Sequence, residues 1–124
     1  MSASLEKYLT AIYTLSLTAK KIRITDISRL MSVSKPSVNR AVGELKALGL
    51  LEQKPYGSRL LTEKGKETAQ EIEKRTGILR RFFEDVLGAD SECAKRQAEA
   101  IGPVTEIQII KKLEAFMCDY FAQK

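Results

Sequence analysis

Residues 25–61 carry the pattern that most constrains this chain. A short amphipathic run is followed by a three-residue turn, a second amphipathic run, and two extended runs around a Pro/Gly turn. The first run predicts a helix from about Asp26 to Met31, with Thr25 as N-cap and Ile27 and Leu30 facing inward. The turn is Ser32-Val33-Ser34. A second helix is expected from Lys35 to about Leu48, capped by Ser34, with Pro36 in the first turn, where a missing N–H costs little. Gly49 is placed to end it. Two helices joined by so tight a turn are a helix-turn-helix. Behind them, Leu50-Leu51-Glu52-Gln53-Lys54 and Arg59-Leu60-Leu61 flank Pro55-Tyr56-Gly57-Ser58, which reads as a β-hairpin. A hairpin in that place is a wing.

The second helix of this motif has two unlike faces. Val38, Val42, Leu45 and Leu48 make the apolar side, whereas Pro36, Arg40, Gly43 and Ala47 lie opposite, flanked by Ser37 and Asn39. Small residues in mid-helix with polar groups at the N-terminal end suit a helix that enters a major groove N-terminus first. The alternative is an ordinary core-packing helix with a bland exterior. Charge favours the first reading. Residues 1–61 hold ten Lys/Arg against four acids, a net of +6, and residues 62–124 hold eleven against twelve, a net of −1. A basic front half points to a polyanion partner for that half. The candidate DNA-contacting residues are Thr25, Lys35, Pro36, Ser37, Asn39 and Arg40 on the helices, and Lys54, Tyr56 and Arg59 on the wing.

Several function classes drop out. The chain has no His, which removes the commonest general base and the commonest transition-metal ligand. No phosphate-cradling Gly loop or nucleophile–base pair is visible, so an enzyme is not expected. Cys93 and Cys118 match no CxxC spacing and read as apolar fillers rather than a redox pair. No apolar run approaches the ~18 residues of a membrane span, and no signal-peptide pattern opens the chain. The expected location is the cytoplasm.

The remaining segments read as helices. Leu5, Leu9, Ile12 and Tyr13 give one apolar face from about Ser4 to Ala19. A long helix is expected from about residue 63 to 87 behind Thr62, then one from Asp90 to about Ile101. Gly102-Pro103 is a break, and a last helix from Glu106 to Phe121 starts at a Thr105/Gln108 capping box. The predicted fold is mainly α: a winged helix-turn-helix domain over residues 1–72, then a helical dimerisation domain over 73–124. The rear domain is rich in apolar residues but too short to bury them alone, so a homodimer is expected; the alternative is packing back onto the chain's own N-terminal half. Two-fold symmetry would set two reading heads on a pseudo-palindromic duplex operator. A winged-helix module that binds a protein instead of DNA is the alternative.

Four runs carry a family resemblance: Leu5-Glu6-Lys7-Tyr8-Leu9-Thr10-Ala11-Ile12-Tyr13, Ile24-Thr25-Asp26-Ile27-Ser28, Val33-Ser34-Lys35-Pro36-Ser37-Val38, and Leu60-Leu61-Thr62-Glu63-Lys64-Gly65. The chain resembles the diphtheria toxin repressor / manganese transport regulator family over almost its whole length, more specifically in the first 65 residues. The resemblance implies a homodimeric bacterial winged-helix repressor of the short form, without an SH3-like C-terminal domain, responsive to Mn or Fe. The ligand positions it implies depart from that pattern. The acidic pair of the first helix is replaced by Lys7 and Thr10, the histidine of the long helix by Thr76, and the later Glu-x-x-Glu-His run by Glu99, Gly102 and Pro103. Only Glu99 remains as a remnant. Mn²⁺ and Fe²⁺ need several converging O/N donors, so no cofactor is expected. A sharper expectation is that the Lys7 ammonium stands in for the cation and pairs with Glu99; the alternative is that both are ordinary surface charges.

Overall fold

The computed structural model describes residues 1–19, 21–53 and 59–123, and for Arg59 and Leu60 the backbone alone. The chain divides into two compact units, Met1–Glu71 and Ile72–Lys124.

In the first unit, α1 (Ala3–Ser16) starts where the Ser2 hydroxyl accepts from the Leu5 N–H at 3.1 Å. Leu5, Tyr8, Leu9 and Ile12 recur at helical spacing and are buried. They meet Ile22, Ile27 of α2 (Ile24–Met31), and Val38, Ala41 and Leu45 of α3 (Lys35–Ala47). Leu9, Ile12, Ile27, Val38 and Leu45 are fully buried, each worth ~1.5–3 kcal/mol against exposure.

Local chemistry sets the ends of these helices. α2 begins two residues before the expected start, because the Asp26 carboxylate reaches back and accepts from the Arg23 N–H at 3.1 Å. Thr25 therefore lies in the first turn and is not the cap. The α2–α3 turn is closed by Ser32 in the left-handed region (φ 56°) and by the Ser28 hydroxyl donating to the Val33 carbonyl. Ser34 caps α3, its Oγ accepting from the Ser37 N–H at 3.3 Å. The buried face of α3 is Val38, Ala41 and Leu45, with Val42 half-buried and Leu48 exposed. The apolar periodicity places Leu48 inside, but α3 ends before it. Gly49 (φ 76°) then reverses the chain, and the Leu50 N–H donates to the Leu45 carbonyl.

The wing follows: β1 (Leu51–Gln53) pairs antiparallel with β2 (Arg59–Leu61), Leu51 opposite Leu61, both buried. Thr62 then caps α4 (Glu63–Arg81), its hydroxyl accepting from the Gly65 N–H at 3.0 Å. Gly65 is needed here, because a Cβ would drive into the carbonyl of Leu50.

The second unit begins inside α4. The expected continuation to about residue 87 is instead a π turn, Phe82–Val86, in which the Leu87 N–H reaches the Phe82 carbonyl. Ion pairs Arg80–Glu84 (3.3 Å) and Arg81–Asp85 (3.5 Å) link it to the end of α4. Asp90 caps α5 (Ser91–Ile101), its Oδ1 accepting from the Cys93 N–H at 2.9 Å. A 3-10 turn, Gly102–Val104, leads to α6 (Ile107–Ala122). The expected Thr105/Gln108 capping box is absent. The Thr105 hydroxyl donates back to Ile101 O at 2.7 Å, and Gln108 donates to the Glu106 carboxylate. Leu79, Ala98 and Ile110 form the core, with Ile78, Phe83, Ile101 and Leu113 packed on it. Val104, Ile107, Leu87 and Phe116 stay 81%, 64%, 63% and 49% exposed.

Candidate nucleic-acid interface

The solvent face of α3 is small and polar. Lys35, Pro36, Asn39 and Arg40 are exposed, as are Gly43 and Ala47 further along, and Ser37 is half-buried. Ser37 Oγ lies 2.9 Å from Ser34 Oγ, so its hydroxyl is shared with the cap. Beyond Arg40 this face carries only Gly43 and Ala47, so another body can approach the helix backbone closely there. Thr25 is exposed in the first turn of α2. Lys54 and Tyr56 lie outside the described residues. Arg59 is placed by its backbone in β2, and its side chain is likewise outside them.

The N-terminus of α1 joins this surface, which the sequence pattern alone does not reveal. Ser2, Ser4, Leu5 and Tyr8 share a shallow groove of about 290 Å³ with Ser37, Arg40, Ala41 and Glu44. The Ser2 cap is the available signal, since a capped helix start offers backbone N–H groups to anions. Glu44 stands one turn from Arg40 and sets the charge balance there.

Two contacts pin the far end of α3. The Thr62 hydroxyl donates to Gly49 O at 2.7 Å, and the Lys64 ammonium donates to Leu48 O at 3.2 Å, a cation at a helix C-terminus. The first turn of α4 thus holds both the end of α3 and the base of the wing.

The positions implied as former metal ligands carry a single carboxylate, Glu99. Lys7 is exposed on α1, and the Thr10 hydroxyl donates to the carbonyls of Glu6 and Lys7, both at 3.1 Å. In the second unit Thr76 and Glu99 are half-buried, and Gly102 is buried. A Cβ on Gly102 would lie 3.1 Å from Arg75 Nε and 3.7 Å from Nη2. A guanidinium therefore fills the space into which a side chain at position 102 would project. Among the described residues, no three His, Cys, Asp or Glu side chains gather to hold a metal ion. The chemistry of these residues does not fit Mn or Fe. Cys93 is half-buried and Cys118 exposed, both as free thiols, so neither is the buried filler expected. Among the described residues no helix is long and apolar enough to cross a membrane.

A helix-turn-helix with a two-stranded wing, followed by a helical unit with exposed apolar residues, defines a winged-helix regulator architecture. The family model of the iron dependent repressor N-terminal DNA-binding domain matches residues 1–58, and that of the iron dependent repressor metal-binding and dimerisation domain matches residues 62–120. The chain belongs to this family of metal-dependent transcriptional regulators, whose members are not enzymes. An uncharacterised HTH-type transcriptional regulator of Methanocaldococcus jannaschii is 30% identical over 118 residues, covering 94% of each chain. The transcriptional regulator MntR of Escherichia coli O157:H7 is 35% identical over 79 residues, 64% of this chain and 50% of that protein. Among solved structures, the manganese regulator SloR superposes with a TM-score of 0.84 at 27% identity, over 94% of this chain and 54% of that one. The chain thus spans about half the length of MntR and SloR. A hypothetical protein from Sulfolobus solfataricus, at 20% identity and a TM-score of 0.76, has the same fold.

Proposed function

We propose that this chain is a homodimeric, sequence-specific transcription regulator, acting as a repressor, that binds a pseudo-palindromic duplex operator without Mn or Fe. The observation that carries the DNA reading is the exposed face of α3, where Lys35, Asn39 and Arg40 stand at the N-terminal end and Gly43 and Ala47 follow. Lys35, Pro36, Ser37, Asn39 and Arg40 enter the major groove, Thr25 and the start of α1 face the adjoining phosphates, and Lys54, Tyr56 and Arg59 hold the wing to the backbone. The boundary between the DNA-binding and dimerisation domains falls near residue 72, inside α4. The exposed Val104, Ile107 and Phe116 supply apolar surface for a second copy, which the dimerisation domain of the family supports.

Independence from metal is supported by the guanidinium beside Gly102 and by the residues at the implied ligand positions, Lys7, Thr10, Thr76, Gly102 and Pro103, none of which carries a carboxylate or imidazole. The functional test is selection of bound sequences from a random duplex pool, followed by affinity measurements over a salt series. A regulator enriches one palindromic motif, and log K falls with log[salt] at a slope near −0.9 for each phosphate neutralised. A protein-interaction module enriches nothing and shows a flat salt response.

A further inference from the structure

The second unit matches a metal-binding domain, yet a protein cation is built into it. Arg75 on α4 lies one turn before Leu79, a core residue, and its Nε atom is buried. The guanidinium rests on the end of α5 beside Gly102, with Nε 3.1 Å and Nη2 3.7 Å from where a Cβ would be. Leu79 lines the same spot at 3.7 Å. Ala98 and Gly102, one turn apart where α5 ends, are the buried residues that receive Leu79 and Arg75. Glu99, half-buried, lies three residues before Gly102 and hence on the neighbouring stripe of the same helix. A carboxylate taken partly out of water needs a cation or several N–H donors. A planar guanidinium is the side chain best shaped to supply both.

Resting on the regulator reading above, we propose that Arg75 is the resident cation of this unit: it neutralises Glu99 and clamps α4 to α5. Glycine at 102 is the complementary change, because a Cβ there would press on the guanidinium at 3.1 Å and make it give way. A metal supplies positive charge only when bound; Arg75 supplies it at all times. A divalent ion brought to Glu99 meets a like charge already in place. Arg75 is thus a positioning residue, and the clamp stands whatever the metal supply.

The test is a double-mutant cycle on the full chain, read by urea unfolding at neutral pH and fixed protein concentration. The variants are Arg75→Met, Glu99→Gln and the pair. The expected coupling is about fivefold or more in the unfolding equilibrium constant, within the range measured for contacting charged residues. Arg75→Lys, which keeps the charge, is expected to fall between the parent and Arg75→Met and remains readable if Arg75→Met does not fold. A parallel cycle of Lys7→Ala with Glu99→Gln covers the other candidate cation and is expected to show less than about twofold coupling. Millimolar MnCl2 should leave the unfolding midpoint of the parent unchanged. Arg75 and Glu99 effects that simply multiply, coupling to Lys7 instead, or Mn²⁺ stabilisation of the parent each overturn the inference. DNA binding is measured on the same samples. If the parent binds no duplex while Arg75 and Glu99 couple, the regulator reading fails and the clamp stands; intact DNA binding without coupling overturns only the clamp.

Discussion

The Thr62 hydroxyl donates to the carbonyl of Gly49 at 2.7 Å while accepting the Gly65 N–H at 3.0 Å, so one side chain ends α3 and starts α4. Thirteen residues apart, Gly49 and Thr62 bracket the wing. The orientation of α3, and with it the Lys35–Arg40 surface, depends on this joint. Thr62→Ala should destabilise the chain by about 1 kcal/mol, the usual value of a lost helix cap, and Thr62→Ser should lose little. Urea unfolding reads the difference. Equal stability of Ala and Ser variants would show that the joint carries no energy.

Two glycines of α4 should respond in opposite senses. Gly65→Ala forces a methyl against the Leu50 carbonyl and the Leu61 side chain. The overpacking, ~1–3 kcal/mol, exceeds the gain in helix propensity. A methyl at Gly77 would meet nothing within 4 Å, so Gly77→Ala should stabilise by ~0.5–1 kcal/mol. Thermal midpoints should fall for the first and rise for the second.

Arg40 and Lys35 should respond differently to substitution. If Arg40 addresses a guanine, Arg40→Ala costs about 1–3 kcal/mol on the preferred site and relaxes one position of the selected motif. Lys35→Ala should weaken all duplexes alike and reduce the salt slope by about one unit. Fluorescence anisotropy against the selected site and single-base variants separates the two. A uniform loss for Arg40→Ala would make it a phosphate contact.

Self-association should depend on Ile107, which is 64% exposed at the first position of α6. Ile107→Asp puts a carboxylate at a helix N-terminus, a favourable place in the isolated protomer. It should therefore leave the helix intact by circular dichroism and shift sedimentation equilibrium from dimer to monomer. A dimer as tight as the parent's would move the interface elsewhere.

The front of the molecule is legible in the sequence because each element carries its own punctuation. Ser34 with Pro36 starts α3, Gly49 stops it, and Leu51 and Leu61 bury the base of the wing. Where sequence and structure part, equally plausible local partners compete. Thr25 and Asp26 both suit a cap; the carboxylate wins by reaching the Arg23 N–H. Thr105 prefers the carbonyl behind it to the N–H ahead. Leu48 shares the face of Ala41 by periodicity but lies past the end of α3, so it stays exposed. The π turn at Phe82 has no local signature; the Phe82 ring meets Phe83 at 6.1 Å and, far along the chain, Phe116 at 6.3 Å. The Arg75–Gly102 approach is long-range, and no spacing rule on one helix could reveal it.

The proposed regulator binds DNA without a metal ion. The deciding experiment is duplex affinity on the selected operator, with metal-stripped protein, in chelator and then with added Mn²⁺ or Fe²⁺. Tight, salt-sensitive binding in chelator that neither metal changes is the expected result. Binding that appears only when Mn²⁺ or Fe²⁺ is added would contradict it.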